Sequence, residues 1–236
     1  RVVGNTVWAQ DISLNGSWDL LFFPQPREAV VDPAGLQAIE ARRVSATVPG
    51  NVELDLLRAG LIENPMIGNN IYSLRKYEGY QWCYSRSFAS PAINEDEEVY
   101  LFFGGIDCIA EVWLNGEHLG SVNNMFIEHR FDITRFLRKE SENLLQVMIR
   151  SAVMEAQRYS LGTFSIGNFA ATESASVRKA PHMYGWDIMP RLVSAGLWRD
   201  VELQVVNNTH IVNTHWMTSN IDLDNRRARR LSRSML

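Results

Sequence analysis

Residues 111–122 read EVWLNGEHLGSV. At the centre, Asn115-Gly116 suits a type I′ turn, whose two central residues both need positive φ. The runs on either side therefore predict two short strands folded back as a hairpin. Working outward, the same pattern recurs. YQWCYSRSF at 80–88 alternates, with Trp82, Tyr84, Arg86 and Phe88 on one face and Cys83, Ser85 and Ser87 on the other. EEVYLFFGG at 97–105 is a shorter apolar run closed by Gly104 and Gly105, and NLLQVMIRS at 143–151 and LWRDVELQVV at 197–206 are two further strands. NVELDLLRAG at 51–60 predicts a short helix, with Leu54 and Leu57 as its apolar signals and Gly60 as its stop. Many strands with little helix point to an all-β domain, a β-sandwich or jelly roll.

The chain has 236 residues, 46% hydrophobic and 21% charged, enough for one large domain or one domain plus a fragment. A net charge of −4 argues against nucleic acid or an anionic membrane as the main partner. No apolar run approaches the roughly 18 residues that cross a bilayer. Cys83 and Cys108 lie among apolar neighbours in strand-like stretches, which predicts buried free thiols rather than a disulfide framework or a zinc site. The histidines, His118, His129, His182, His210 and His215, have no metal-ligand spacing, so neither metal nor cofactor is expected. There is no dinucleotide fingerprint and no phosphate loop. In GTFSIG, Gly162 stands one residue too far from Ser165 for a nucleophile elbow. NEDEE at 94–98 sits between two strands and reads as a solvated turn.

From about 158 to 191 no period persists, yet the stretch holds Tyr159, Phe164, Phe169, Tyr184 and Trp186. It is too aromatic for disorder, and a loop this long is expected to fold against the sandwich and line something. Within it, residues 184–192 read YGWDIMPRL. Trp186 offers a large rigid surface that can stack on the apolar face of a sugar ring. Asp187 can accept charge-assisted hydrogen bonds from two neighbouring hydroxyls. Arg178, Lys179 or Arg191 can orient that carboxylate. The competing reading is a Trp buried in a loop, with Asp187 paired to Arg191 for structure alone. His182 reads as a surface or internally satisfied residue.

After 206 the pattern changes to a linker and one isolated strand, followed by RRARRLSRSML with five Arg in eleven residues. The acidic whole favours a truncated, solvated strand over a nucleic-acid arm. Residues from 207 are expected to begin a further domain, because a lone strand cannot stand by itself.

The order of segments adds a resemblance. LNGSWDLLF, VPGNVELDLLRAGLIENP, YQWCYSRSF, LFFGGIDCIAEVWLNGEHLGSV, FDITRFL, NLLQVMIRS and VRKAPHMYGWDIMPRLVSAGLWRDVELQVV occur in that order. Over roughly 13–206 the chain resembles the N-terminal sugar-binding domain of glycoside hydrolase family 2, on its β-mannosidase side. The resemblance implies a galactose-binding-like jelly-roll β-sandwich over 1–206. It makes 207–236 a linker and the start of an immunoglobulin-like domain, with a catalytic (β/α)₈ barrel further on. The family hydrolyses glycosides with retention, using two barrel glutamates, so no catalytic residue is expected here. The Asn94-Glu95 pair superficially matches the family's acid/base motif but stands in the wrong domain. In β-mannosidases a jelly-roll loop resembling GWDWGPR supplies a carboxylate to the terminal sugar. Gly185, Trp186, Asp187, Pro190 and Arg191 match it, while Ile188 replaces the second Trp and Met189 the Gly. That departure bears on sugar preference and leaves the role of Asp187 untouched. The implied substrate-binding set is Trp186, Asp187, Arg178, Lys179 and Arg191. The implied partners are carbohydrate, a terminal β-linked sugar with mannoside favoured, and the downstream domains of the same chain. The expected location is periplasmic or secreted. A stand-alone carbohydrate-binding module and a purely structural packing domain are the alternatives.

Overall fold

The computed structural model describes residues 10–159, 172–209 and 213–235. The strands are β1 (Gln10–Ser13), β2 (Gly16–Pro24), β3 (Arg42–Val48), β4 (Tyr80–Phe88), β5 (Glu97–Phe103), β6 (Ile106–Asp107), β7 (Ala110–Leu114), β8 (Glu117–Val122), β9 (His129–Asp132), β10 (Asn143–Ile149), β11 (Gly196–Leu197), β12 (Val201–Asn207), β13 (Asn213–Asp222) and β14 (Arg227–Met235). The α-helices are short: α1 (Pro33–Leu36), α2 (Val52–Arg58) and α3 (Ala152–Ala156). A six-stranded sheet runs β3-β2-β4-β10-β7-β8 and a four-stranded sheet β1-β12-β5-β9, with β11-β6 and β13-β14 as separate pairs. All of these pairings are antiparallel.

Alternation along the strands builds the core. Trp18, Leu20 and Phe22 on β2, Trp82 and Tyr84 on β4, and Leu145, Val147 and Ile149 on β10 point inward from the larger sheet. They join one cluster with Val99, Leu101 and Phe103 on β5 and Val201, Leu203 and Val205 on β12. Each fully buried Leu, Val or Phe contributes about 1.5–3 kcal/mol relative to exposure. This is the all-β sandwich that the alternation predicted, and the jelly-roll class that the resemblance implied. The outward face of β2, β4 and β10 is partly apolar as well: Phe23, Cys83 and Met148 pack with Leu36 under the crossing that carries α1. Gln81 fixes that crossing through both backbone polar atoms of Val30, at 2.8 and 2.9 Å.

The hairpin forms as expected. Asn115 has φ 57° and Gly116 φ 88°, and Leu114 faces Glu117 across it. The Asn115 side chain also accepts from the Leu144 amide at 2.9 Å, which ties the turn to β10. Both cysteines are free and buried. Residues 94–96 form an exposed turn, with Glu97 accepting from the Asn94 amide.

Two expectations need correction. The 51–60 helix exists, capped by Asn51 and followed by Gly60 at φ 68°, but Leu54 lies on its exposed side. Val52, Glu53, Asp55 and Leu56 turn inward instead. A helix this short presents too few turns for its apolar stripe to be unambiguous, and the two carboxylates have internal partners. Asp55 accepts from the Thr47 amide and from Arg58, and Glu53 accepts from the Ser194 hydroxyl. The stretch after 207 is not one isolated strand either. β13 and β14 pair from Asn213–Met235 to Asp222–Arg227, so the Arg-rich end supplies the missing partner. Trp216, Met217, Ile221 and Leu231 on this ribbon are exposed.

Candidate functional site

The 184–192 stretch is a small clamped turn. A 3-10 helix over Pro181–Tyr184 ends at Gly185, whose φ of 96° suits glycine. There the chain reverses: the Trp186 amide donates to the Met189 carbonyl at 2.9 Å and the Met189 amide to the Trp186 carbonyl at 3.0 Å. Asp187 and Ile188 form the tip. Trp186 is 64% exposed, so it is not a core residue. Asp187 is exposed, and among the described residues its carboxylate has no hydrogen-bond or ion-pair partner.

The base of the turn is held firmly. The Leu192 amide donates to the Met183 carbonyl at 2.9 Å. Arg191 makes a two-pronged pair with Glu78, Nε to Oε1 and Nη2 to Oε2, both 2.8 Å. Glu173 lies 3.5 Å from the same guanidinium, which also sits over the Tyr184 ring, 5.4 Å from its centroid. The hydrogen bonds to Glu78 hold the guanidinium above its ordinary pKa, and burial pushes the Tyr184 hydroxyl well up. Bidentate geometry gives direction as well as energy. Arg191 therefore serves Glu78 and Glu173, and the alternative pairing with Asp187 is not what forms.

Arg178 and Lys179 part company. Arg178 is exposed, with its backbone carbonyl accepting from the Met125 amide at 3.1 Å. Lys179 is buried, at 1% exposure. Its ammonium lies 2.5 Å from both carboxylate oxygens of Asp107 and 2.6 Å from the Ser194 carbonyl oxygen. Ser194 in turn donates its hydroxyl to Glu53 at 2.6 Å. Burial raises the Asp107 carboxyl, opposed by the Lys179 charge. Burial likewise raises Glu53, opposed first by the Ser194 hydrogen bond. Lys179 thus does not reach the tip, because an unpaired ammonium inside the protein is too costly and its partners are inside.

Of the five candidate residues, Trp186 and Asp187 share the tip, Arg191 anchors the base, Arg178 is on the surface and Lys179 is in the interior. Glu78, Glu173, Asp107, Ser194 and Glu53 escaped the sequence reading. Glu78 lies 113 residues from Arg191, Asp107 72 from Lys179 and Glu53 141 from Ser194, and no local pattern announces such pairs. His182 is exposed, and Tyr159 is 55% exposed. Phe164, Phe169 and the GTFSIG stretch lie outside the described residues. Among the described residues no group of three or more His, Cys, Asp or Glu side chains is placed to hold a metal, and no helix is long and apolar enough to cross a membrane. Chemically the tip offers an exposed indole beside an exposed carboxylate that no described residue pairs.

Known proteins share this arrangement of strands. The family described as glycosyl hydrolase 2 galactose-binding domain-like matches residues 34–199. Beta-mannosidase B of Emericella nidulans is 34% identical over 175 residues, covering 73% of this chain and 21% of its own length. Beta-mannosidase B of Aspergillus terreus is 32% identical over 192 residues, 80% of this chain and 22% of its own. The crystal structure of a β-D-mannosidase from Dictyoglomus thermophilum superposes with a TM-score of 0.71 at 30% identity, over 90% of this chain and 24% of that one. A Bifidobacterium dentium β-glucuronidase complexed with coumarin-3-O-glucuronide, at 24% identity and TM-score 0.56, shares the fold, over 94% of this chain and 34% of that one. The chain spans about a fifth of the curated relatives' length. With the family match running from the α1 crossing through β11, and a β-mannosidase structure superposing on nearly all of the chain, this protein belongs to the galactose-binding domain-like family of glycosyl hydrolase 2.

Proposed function

We propose that this chain is the non-catalytic N-terminal sugar-binding domain of a retaining exo-glycoside hydrolase of β-mannosidase type. Its 186–189 turn presents Asp187 to the terminal sugar of the substrate. The observation that carries the proposal is the pairing of opposites in one turn: a base clamped by Arg191 and Glu78, and a tip whose indole and carboxylate are open. The names of the relatives support the mannoside class, and the share of their length that the chain spans supports chemistry done by a barrel elsewhere in a longer protein. Retention needs two carboxyl groups about 5–5.5 Å apart across one glycosidic bond. On this reading they come from that barrel, while Trp186 stacks on the ring and Asp187 accepts from two adjacent hydroxyls. Breakdown of polysaccharide puts such an enzyme in the periplasm or outside the cell.

A hydrogen bond to a charged acceptor in a desolvated site is worth about 1.5–3 kcal/mol. Asp187→Ala in the full-length protein should therefore lower kcat/KM by about ten- to a hundredfold. kcat should fall along with affinity, because the bond tightens as the ring distorts. The melting temperature should hold, since the side chain is exposed and unpartnered. Wild-type kinetics would end the substrate role, and a large melting loss with proportionate loss of activity would make the residue structural. The chain by itself should turn over no aryl β-mannoside and should bind monosaccharides at about millimolar or weaker, half the pocket being absent. Micromolar binding would instead favour a self-sufficient carbohydrate-binding module.

A further inference from the structure

We propose that Lys179 is a positioning residue: its buried ammonium clasps the two ends of the 179–194 segment and so fixes where the Trp186–Asp187 tip stands. The functional half of this rests on the substrate role of Asp187; the mechanical half does not. The segment leaves the body at Lys179 and returns at Ser194, and one side chain touches both ends. Lys179 Nζ donates to the Ser194 carbonyl at 2.6 Å while held 2.5 Å from both oxygens of Asp107. Asp107 is no mobile counter-ion, because it lies in β6, paired with Gly196 of β11 two residues beyond Ser194. Ser194 is pinned again through its hydroxyl to Glu53 of α2, and the Val52 amide donates to the Ala195 carbonyl at 3.0 Å. The entry and exit of the turn are thus tied together and to β6 through one cation, while Ser194 and Ala195 tie the exit to α2.

A buried ion pair is weak evidence for stability, since well-packed apolar residues of similar volume often do as well or better. What an ammonium adds is several directed hydrogen bonds from one point. That property matters when a catalytic or binding carboxylate must be placed within a fraction of an ångström, because a 1 Å error costs about a hundredfold in rate. Arg191 with Glu78 is the second clasp, nearer the tip. The first sets the segment's ends and the second its twist.

The test uses the full-length protein with Lys179→Met, and with Lys179→Met combined with Asp107→Leu. The combined variant fills the site with apolar groups and should melt close to wild type. In it, the amides of the 184–192 peptide, including the mutually bonded Trp186 and Met189, should exchange hydrogen at least about tenfold faster, while β10 peptides stay unchanged. kcat/KM should fall about tenfold when Asp187 is present and no further when Asp187→Ala is already in place. Unchanged exchange at 184–192 in the folded combined variant overturns the clasp. So does a kinetic loss that adds in full to that of Asp187→Ala, since it would show general disruption. Wild-type kinetics for Asp187→Ala would remove the substrate reading alone, and the exchange result would still decide the clasp.

Discussion

Gly196 sits where three elements meet, and replacing it with Ala should be among the costliest single-methyl changes in the chain. It has φ 150°, and a Cβ built there lies 2.8 Å from the Gly50 carbonyl oxygen, 2.9 Å from the Asn51 Cα and 3.2 Å from the Tyr84 hydroxyl. Two of those neighbours are backbone, held by the Gly50 amide donating to the Leu197 carbonyl at 2.9 Å, so they cannot step aside as a flexible side chain would. Overpacking of this kind costs about 1–3 kcal/mol. The unfavourable φ adds about 1 kcal/mol. A central value of about 3 kcal/mol corresponds to a fall of about 6–12 °C in melting temperature for a domain of this size. Gly116→Ala separates the two contributions. Gly116 has φ 88° with nothing within 4 Å of an added methyl, so it should lose only the backbone part, about 1 kcal/mol. Urea titration and calorimetry of the two variants beside wild type give the difference directly. Equal losses at Gly196 and Gly116 would refute the reasoning, because the close backbone approach would then have no energetic weight.

Two further outcomes follow from buried groups. Burial raises the Glu53 carboxyl from its ordinary 4.5, so the folded chain holds that proton more tightly than the unfolded chain does. Its contribution to stability is full below the unfolded value and is lost as pH rises through the folded one. Glu53→Gln, which keeps an acceptor for Ser194, should flatten the decline in stability above about pH 4.5, as read by urea titrations up to about pH 8; parallel profiles for variant and wild type would count against it. Burial also pushes the Cys83 and Cys108 thiols up to about 12, so a thiol-specific reagent at about pH 8 should label neither in the native chain and both in urea; prompt native labelling would show that one of them is accessible.

The strands read from the sequence, β4, β5, β7, β8, β10 and β12, were legible because each carries its own signal. Alternation on β4 and the Asn115-Gly116 turn are local features, and local features decide local structure. α2 was legible as a helix and not as an orientation: its inward carboxylates depend on Thr47, Arg58 and Ser194, and the last of these is 141 residues from Glu53. The burial of Lys179 was not legible for the same reason: its partner Asp107 is 72 residues away in the chain. Trp186 and Asp187 drew attention in the sequence because a turn has no need of an indole next to a carboxylate, and the structure exposes both side chains. β14 was obscured by composition, since arginines depress every signal by which a strand is recognised, yet its pairing with β13 asks only for a turn and a register.

Those arginines have a consequence for how the ribbon behaves among other molecules. β13 and β14 pair only with each other among the described residues, so each has one strand edge that no described strand covers. Open edges recruit strands from neighbouring copies, and Trp216, Met217 and Leu231 are exposed to reinforce such a contact. Arg227, Arg229, Arg230 and Arg233 stand along β14, so two copies meeting at that edge must first bring rows of like charge together. The guard is electrostatic and therefore conditional. It reaches about 8–10 Å at moderate ionic strength and only about 3 Å in molar salt. Concentrated salt, commonly added to keep proteins apart, would here weaken the repulsion between copies that meet at β14.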